Sequence, residues 1–170
     1  LPHAVLAPEV RTAAESKPHP MGQDEVEFMF NANPGETPKQ LIKVISGGEM
    51  SRVMLALKTL LAENDPVETL IFDEIDSGLG GRLALAVGEK LRELATSRQV
   101  ICVSHLASIA AMADQHLFIS KEIEEAATYT KVRVLEEQER VVEIARMLDG
   151  QMSEIALEHA RELLKPKLNG

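Results

Sequence analysis

Apolar positions change period several times along the chain, and each change marks an element. Val26, Phe28 and Phe30 alternate with Glu25, Glu27 and Met29, which predicts a strand. Ala4-Val5-Leu6 reads as a short edge strand. From Gly47-Gly48 the spacing turns helical: Met50, Val53, Met54, Leu57, Leu60 and Leu61 share one face through about Glu63, where Asn64-Asp65-Pro66 stops the run. Thr69 to Phe72 is a short apolar run, the pattern of a buried parallel strand. A helix is predicted over 82–95, with Leu83, Val87, Leu91 and Leu94 on one face. A second buried strand follows over 99–103, then a short helix from a Ser104 cap to Ala113. Gln115 to Ser120 predicts a third strand, and Thr128 to Leu135 alternates like a fourth. Two helices, about 138–148 and 153–164, close the chain, with Gly150 stopping the first and Ser153 capping the second.

Strand, crossover helix and parallel strand at these lengths predict an α/β fold, a mostly parallel sheet covered by helices on both faces. Pro2, Pro8, Pro18 and Pro20 forbid a long helix near the start, and Lys17-Pro18-His19-Pro20 reads as an exposed turn. The expected organisation is one lobe: a loosely organised edge segment over 1–24, a motif-bearing core over 25–150, and a C-terminal helix within 151–170. In such sheets chemistry sits beyond the carboxyl ends of the strands. Asp73 and Glu74 fall after one strand, Ser104 and His105 after the next.

Composition narrows the function. The 170 residues carry a formal charge of −9, from 27 acidic and 18 basic side chains. A protein that coats nucleic-acid phosphates usually has the opposite sign. Four Phe, one Tyr and no Trp leave little for stacking bases. Arg52, Lys58, Arg82 and Arg98 read as scattered surface charge in preference to a patch. A single cysteine, Cys102, excludes an intrachain disulfide and a multi-cysteine zinc site, and its apolar strand makes it a core thiol. No apolar run approaches the ~18 residues of a membrane span. No signal-peptide pattern opens the chain. The expected setting is cytoplasmic.

Three groups could do chemistry. Asp73-Glu74 puts two carboxylates at a strand tip; one can hold Mg²⁺ through water, and the other can orient an attacking water. Their bland alternative is a solvated pair at a loop entrance. Ile45-Ser46-Gly47-Gly48-Glu49 lets a backbone approach a ligand and adds helix N–H groups and a hydroxyl, an anion site suited to phosphate. Taken alone, Ser-Gly-Gly is more often a plain helix-entry turn. His105 lies where it could reach a phosphate oxygen. His3, His19, His116 and His159 have no comparable context and read as structural.

Taken in order, Ser46-Gly47-Gly48-Glu49, then Asp73-Glu74, then a glycine-rich loop, then Ser104-His105 resembles the second half of an ABC-type ATPase. The resemblance makes Ser-Gly-Gly the signature, Asp-Glu the Walker B pair, the loop the D-loop and His105 the switch histidine. Glu49 after the two glycines looks like the SMC and RecF side of that superfamily. Ile75-Asp76-Ser77-Gly78-Leu79-Gly80-Gly81 is similar to the RecN family, SMC-like bacterial DNA repair ATPases. Val26-Glu27-Phe28 leading to Asn33-Pro34-Gly35, Cys102 to Leu106, and Val141 to Gly150 resemble it too, so the match covers about residues 25–150.

No Gly-x-x-x-x-Gly-Lys-Ser/Thr occurs in the chain. The resemblance therefore implies the C-terminal lobe of a split head, with Leu1 following a returning coiled-coil arm and the P-loop in a separate N-terminal lobe. It implies ATP and Mg²⁺ as cofactors, a second head in an ATP-dependent homodimer, DNA as the partner of the intact protein, and a bacterial, nucleoid-associated location. By residue, Asp73 would help hold Mg²⁺, Glu74 would polarise water, and His105 would contact the γ-phosphate. Ser46, Gly47, Gly48 and Glu49 would reach the nucleotide of the opposite head. Asp76, Ser77 and Gly78 would line the seam. The fragment alone is expected to be inactive. The alternative, a transporter nucleotide-binding subunit, is disfavoured by Glu49 and by the Gly78-Leu79-Gly80-Gly81 loop.

Overall fold

The computed structural model describes residues 5–12, 20, 22–31, 35, 37–62, 65–124, 127–150 and 152–165. Readings placed on Pro2, His3, Ala4, Lys17, Pro18, His19, Asn33, Pro34, Glu63 and Asn64 fall outside them. The chain divides into two compact units, Leu1–Ser46 and Gly47–Gly170.

In the first unit, β1 (Val5–Thr12) pairs antiparallel with β2 (Asp24–Asn31), from Val5 opposite Asn31 to Thr12 opposite Asp24. A two-residue β3 (Lys39–Gln40) lines the other side of β2, and a single turn, α1 (Leu41–Val44), follows. The segment expected to be loosely organised thus contains an eight-residue strand. Pro8 is tolerated there because β1 is an edge strand.

The second unit runs α2 (Gly47–Leu60), β4 (Thr69–Phe72), α3 (Gly81–Ala95), β5 (Gln99–Cys102), α4 (Ala107–Ala110), β6 (Leu117–Glu124), β7 (Ala127–Val134), α5 (Glu137–Asp149) and α6 (Glu154–Leu164). β4 and β5 are parallel, Thr69 opposite Gln99 and Phe72 opposite Cys102, with α3 as the crossover. The third and fourth strands do not extend this pair among the described residues. They form their own antiparallel ribbon, Leu117 opposite Val134.

Two apolar clusters hold the unit. Leu55, Leu70, Phe72, Ile75, Leu91, Leu94 and Ile109 join α2, the parallel pair, α3 and α4. Small residues dominate the second: Ala107, Ala111, Ala145, Ala156 and Ala160 surround Ile144 where α4, α5 and α6 meet. Small side chains let helix backbones approach closely. The buried face of α3 is Ala84, Gly88, Leu91 and Leu94, while Leu83 is exposed. Val87, Leu91 and Leu94 of the expected face do pack against the first cluster, and Gly88 admits the sulfur of Met112, which would lie 2.7 Å from a Cβ placed there.

The closing helices follow the sequence closely. Ser153 caps α6 by accepting from the Ala156 amide at 3.1 Å, and Gly150 ends α5 at φ +67°. Glu136 and Glu139 form a reciprocal capping box on α5. Ser104 does not cap α4: Leu106 occupies that position, and the serine hydroxyl is engaged elsewhere.

The parallel pair also departs from the pattern of strands covered on both faces. Leu70 and Phe72 are buried, whereas Ile71 is 69% exposed and Ile101 and Val103 are exposed beside it.

Candidate active site

Parallel pairing brings two carboxyl ends to the same edge. The ladder continues one rung past β4, where the Val103 amide donates to the Phe72 carbonyl at 2.9 Å. Asp73-Glu74 and Ser104-His105 therefore leave the sheet side by side.

The chain turns sharply after β4. Glu74 lies at φ +56°, in the left-handed region that costs a non-glycine residue about 1 kcal/mol. Hydrogen bonds hold it there: the Glu74 amide donates to Asp73 Oδ1 at 2.8 Å, and the Ser77 amide donates to the Glu74 carbonyl at 2.9 Å. Both acidic side chains stay exposed, while Ile75, next along, is fully buried as the anchor of the turn.

Asp76 is the buried charge of the site, 3% exposed. Its Oδ2 accepts from the Ser104 hydroxyl at 2.7 Å and from the His105 amide at 2.7 Å, and His105 Nδ1 lies 3.0 Å away. Ser104 Oγ in turn accepts from the Leu106 amide at 3.1 Å. Burial pushes the Asp76 carboxyl up, but the Ser104 hydroxyl, the His105 amide and the His105 ring outweigh it and hold it below its ordinary value. The His105 side chain is 74% exposed, with its ring beside the carboxylate and otherwise accessible.

The α2 N-terminus packs against the same turn. A Cβ on Gly48 would lie 2.7 Å from the Glu74 carbonyl and 2.8 Å from Ser77 Cβ; one on Gly47 would collide with the Glu74 carboxylate. Close approach of backbone requires glycine at Gly48, whereas at Gly47 the exposed Glu74 side chain can swing aside. Two further side chains fasten α2 to the turn. Ser51 Oγ donates to the Asp73 carbonyl at 2.7 Å, and Arg52 Nη1 donates to the carbonyls of Ile75 and Ser77 at 3.1 and 3.0 Å. Periodicity gave no sign of these straps, since Ser51 and Arg52 sit among ordinary helical polar positions.

The expected residues therefore separate. Asp73, Glu74, Asp76, Ser77, Gly47, Gly48 and His105 gather around one turn. Glu49 lies in the first turn of α2, and Gly78, at φ +69°, continues the loop. Ser46 is exposed at the end of the first unit, immediately before α2.

Of the four basic residues considered as a patch, three have structural work. Arg52 straps the turn, Lys58 pairs with Asp65 at 2.5 Å, and Arg98 donates to the carbonyls of Ala62, Asp65 and Val67. Cys102 packs against the first cluster. Burial, with Asp76 and Asp73 nearby, pushes its thiol up to about 11.

No protein-family model matches the chain. It is 51% identical over 155 residues to the DNA repair protein RecN of Halalkalibacterium halodurans, covering 90% of this chain and 27% of that protein. To the RecN of Deinococcus radiodurans it is 49% identical over 164 residues, 96% of this chain and 28% of that protein. The chain thus spans little more than a quarter of the length of these relatives. Among solved structures, the Smc head domain with a coiled coil and joint from Pyrococcus yayanosii matches 93% of this chain and 26% of that one, at a TM-score of 0.51 and 21% identity. That likeness concerns the fold alone. Among the described residues no helix is long and apolar enough to cross a membrane.

Proposed function

For a chain that falls within the RecN family of DNA repair proteins along the segment it covers, we propose the role of one lobe in an ATP-hydrolysing head acting in double-strand break repair. The observation that carries this reading is buried Asp76, which ties the exit of β4 to the exit of β5 and so sets Glu74 and His105 on one accessible edge. Phosphoryl transfer needs positioned charge more than covalent chemistry, and such an edge supplies it.

Each residue has a role there. Glu74, turned out of the strand by its left-handed backbone, orients water for attack on the terminal phosphate. His105 meets a phosphate oxygen. Asp76, Ser77 and Gly78 shape the seam between heads, while Ser46, Gly47, Gly48 and Glu49 reach a nucleotide held by the opposite head. The residues fit Mg²⁺ held jointly with a phosphate: Asp73 offers an exposed carboxylate fixed by the Glu74 amide, and no trio of ligating side chains gathers among the described residues. Bound there, the ion would neutralise phosphate charge.

A P-loop must come from another segment, as the N-terminal lobe beyond a coiled coil. The open apolar face of β4 and β5 supports this, because parallel strands are normally covered on both sides. Dimers of the assembled head, and DNA as its target, complete the reading; the setting is the bacterial cytoplasm, at the nucleoid.

The contact between Gly47 and Glu74 favours a second arrangement, in which the α2 N-terminus serves the nucleotide of its own chain. Two variants of the head assembled with its P-loop segment test both. Glu74→Gln should keep ATP binding, slow hydrolysis roughly a hundredfold or more and prolong dimers; normal turnover removes Glu74 from this role. Ser46→Arg should abolish ATP-dependent dimers and spare nucleotide binding. Loss of binding with dimers intact would instead select the same-chain arrangement.

A further inference from the structure

From the hydrogen bonds of the acidic turn we infer that Arg52 is a positioning residue for Glu74: with Ser51 it makes the start of α2 and the turn one body, so that a displacement of either reaches the other. The inference deepens the role given to Glu74 above and rests on that reading for its consequence in ATP hydrolysis. The link itself stands on the contacts alone.

The carbonyls of residues 73–77 divide into two alternating sets. The turn satisfies two from within: the Glu74 carbonyl accepts from the Ser77 amide at 2.9 Å, and the Asp76 carbonyl accepts from the Leu79 amide at 3.0 Å. The others are held from α2. Ser51 Oγ donates to the Asp73 carbonyl at 2.7 Å, and Arg52 Nη1, which carries two hydrogens, donates to the Ile75 and Ser77 carbonyls at 3.1 and 3.0 Å. Side chains of α2 thus hold the turn on both sides of Glu74. That residue sits at φ +56°, a conformation that persists only where the surroundings over-determine it. Gly48 belongs to the same arrangement, since a Cβ there would lie 3.1 Å from Arg52 Nη1 as well as against the Glu74 carbonyl.

The role is geometric. Arg52 engages backbone acceptors and acts through the turn. It lies one helical turn after Gly48. On the reading above, a nucleotide meets the start of α2, and the link registers its arrival at the residue that orients water.

NMR of the complete chain tests the link. In wild type the Nη1 hydrogens of Arg52 should give resolved, slowly exchanging signals. One averaged signal, the mark of a freely rotating guanidinium, overturns the inference, and that measurement requires no variant to fold. Arg52→Met keeps the stem and removes the donors. In it the Ser77 and Leu79 amides should exchange with solvent roughly tenfold faster, while the Ala156 amide, bonded to the Ser153 cap of α6, keeps its wild-type rate. Ser51→Ala should speed the same two amides by less. Unchanged rates at Ser77 and Leu79, or an equal rise at Ala156, overturn the link. In the head assembled with its P-loop segment, Arg52→Met should lower kcat roughly tenfold with little change in KM for ATP. Arg52→Lys, which returns N–H donors without the planar fork, should recover part of that loss. Normal kcat in Arg52→Met beside slow hydrolysis in Glu74→Gln overturns the inference and leaves the reading of Glu74 intact. Normal turnover in Glu74→Gln fails that reading instead, and the exchange rates then decide the link by themselves.

Discussion

The second unit contains two strand pairs that differ in what their ends can do. β4 and β5 are four residues long and parallel; β6 and β7 are eight residues long and antiparallel. Each leaves an apolar face open: Ile71, Ile101 and Val103 on the first, Leu117, Ile119, Ile123, Val132 and Val134 on the second. The opposite side of the ribbon is polar, with Glu122 paired to Lys131 and Arg133 stacked over Phe118 at 5.4 Å. Only the parallel pair gathers chemistry. Both its chain exits lie at one edge, so one buried carboxylate can bind them together. In the ribbon the exit of one strand lies beside the entry of the other, and its ion pairs are exposed and contribute little. The longer pair has more hydrogen bonds, but the shorter one has the geometry of a site.

The sharpest way to break this comparison is to shorten one apolar side chain in each region. Ile75 is fully buried directly behind the acidic turn, so Ile75→Ala should cost about 2–5 kcal/mol in denaturant unfolding. Ile123→Ser on the open ribbon face should stay within about 0.5 kcal/mol. Equal costs would mean that the ribbon face is packed in solution.

A smaller effect is expected from filling the gap under the turn. Gly48→Ala places a methyl where the Glu74 carbonyl and Ser77 Cβ already sit, and should destabilise by about 1–3 kcal/mol. Gly80, around which a Cβ would meet nothing within 4 Å, is the comparison: as the N-cap of α3 it should lose only glycine's capping preference over alanine, about 0.5–1 kcal/mol, and no packing. A silent Gly48→Ala would show that α2 does not press on the turn.

The third test uses pH. The folded Asp76 carboxyl lies below its unfolded value, so its stabilisation is complete above the unfolded pKa and is lost as pH falls through the folded one. Unfolding free energies of wild type and Asp76→Asn should differ by about 1.5–3 kcal/mol from neutral pH down to about pH 5. The gap should then shrink below about pH 4. A gap that stays constant into strong acid would mean that the charge of Asp76 does not hold the two exits together.

Much of this site was legible in the chain, for reasons particular residues make plain. Asp73-Glu74 and Ser104-His105 were readable because each closes an apolar run, and the parallel reading placed both at one edge. The stops and caps at Gly150 and Ser153 were readable because their chemistry is local. Asp76 was readable only as a loop residue. Nothing in its spacing says that it is buried, because its partners Ser104 and His105 are nearly thirty positions away. Ser104 reads as a cap from sequence, since a serine before a helix looks the same whether its hydroxyl serves the helix or a distant carboxylate. The open face of β4 was equally hidden: an apolar tetrapeptide shows that burial is required, not what provides it.

Cys102 gives the mildest test and bears on the same edge. It lies in the last rung of β5, opposite Phe72, and its sulfur contacts the Val103 carbonyl at 3.8 Å. Burial first, and then the charges of Asp76 and Asp73, push the thiol up to about 11. A free cysteine titrates near 8.5, so at neutral pH the folded thiol should alkylate roughly a few hundred times more slowly. Unfolding in denaturant should restore the ordinary rate. Asp76→Asn removes one of the two charges while leaving the burial, so it should speed the folded reaction only modestly. A large acceleration would mean that Asp76 excludes water from the inner rungs of the pair as well as gripping the loops beyond them. A folded wild-type chain that alkylates at the free rate would place the end of β5 in solvent, which the packing of Cys102 against the core cluster contradicts.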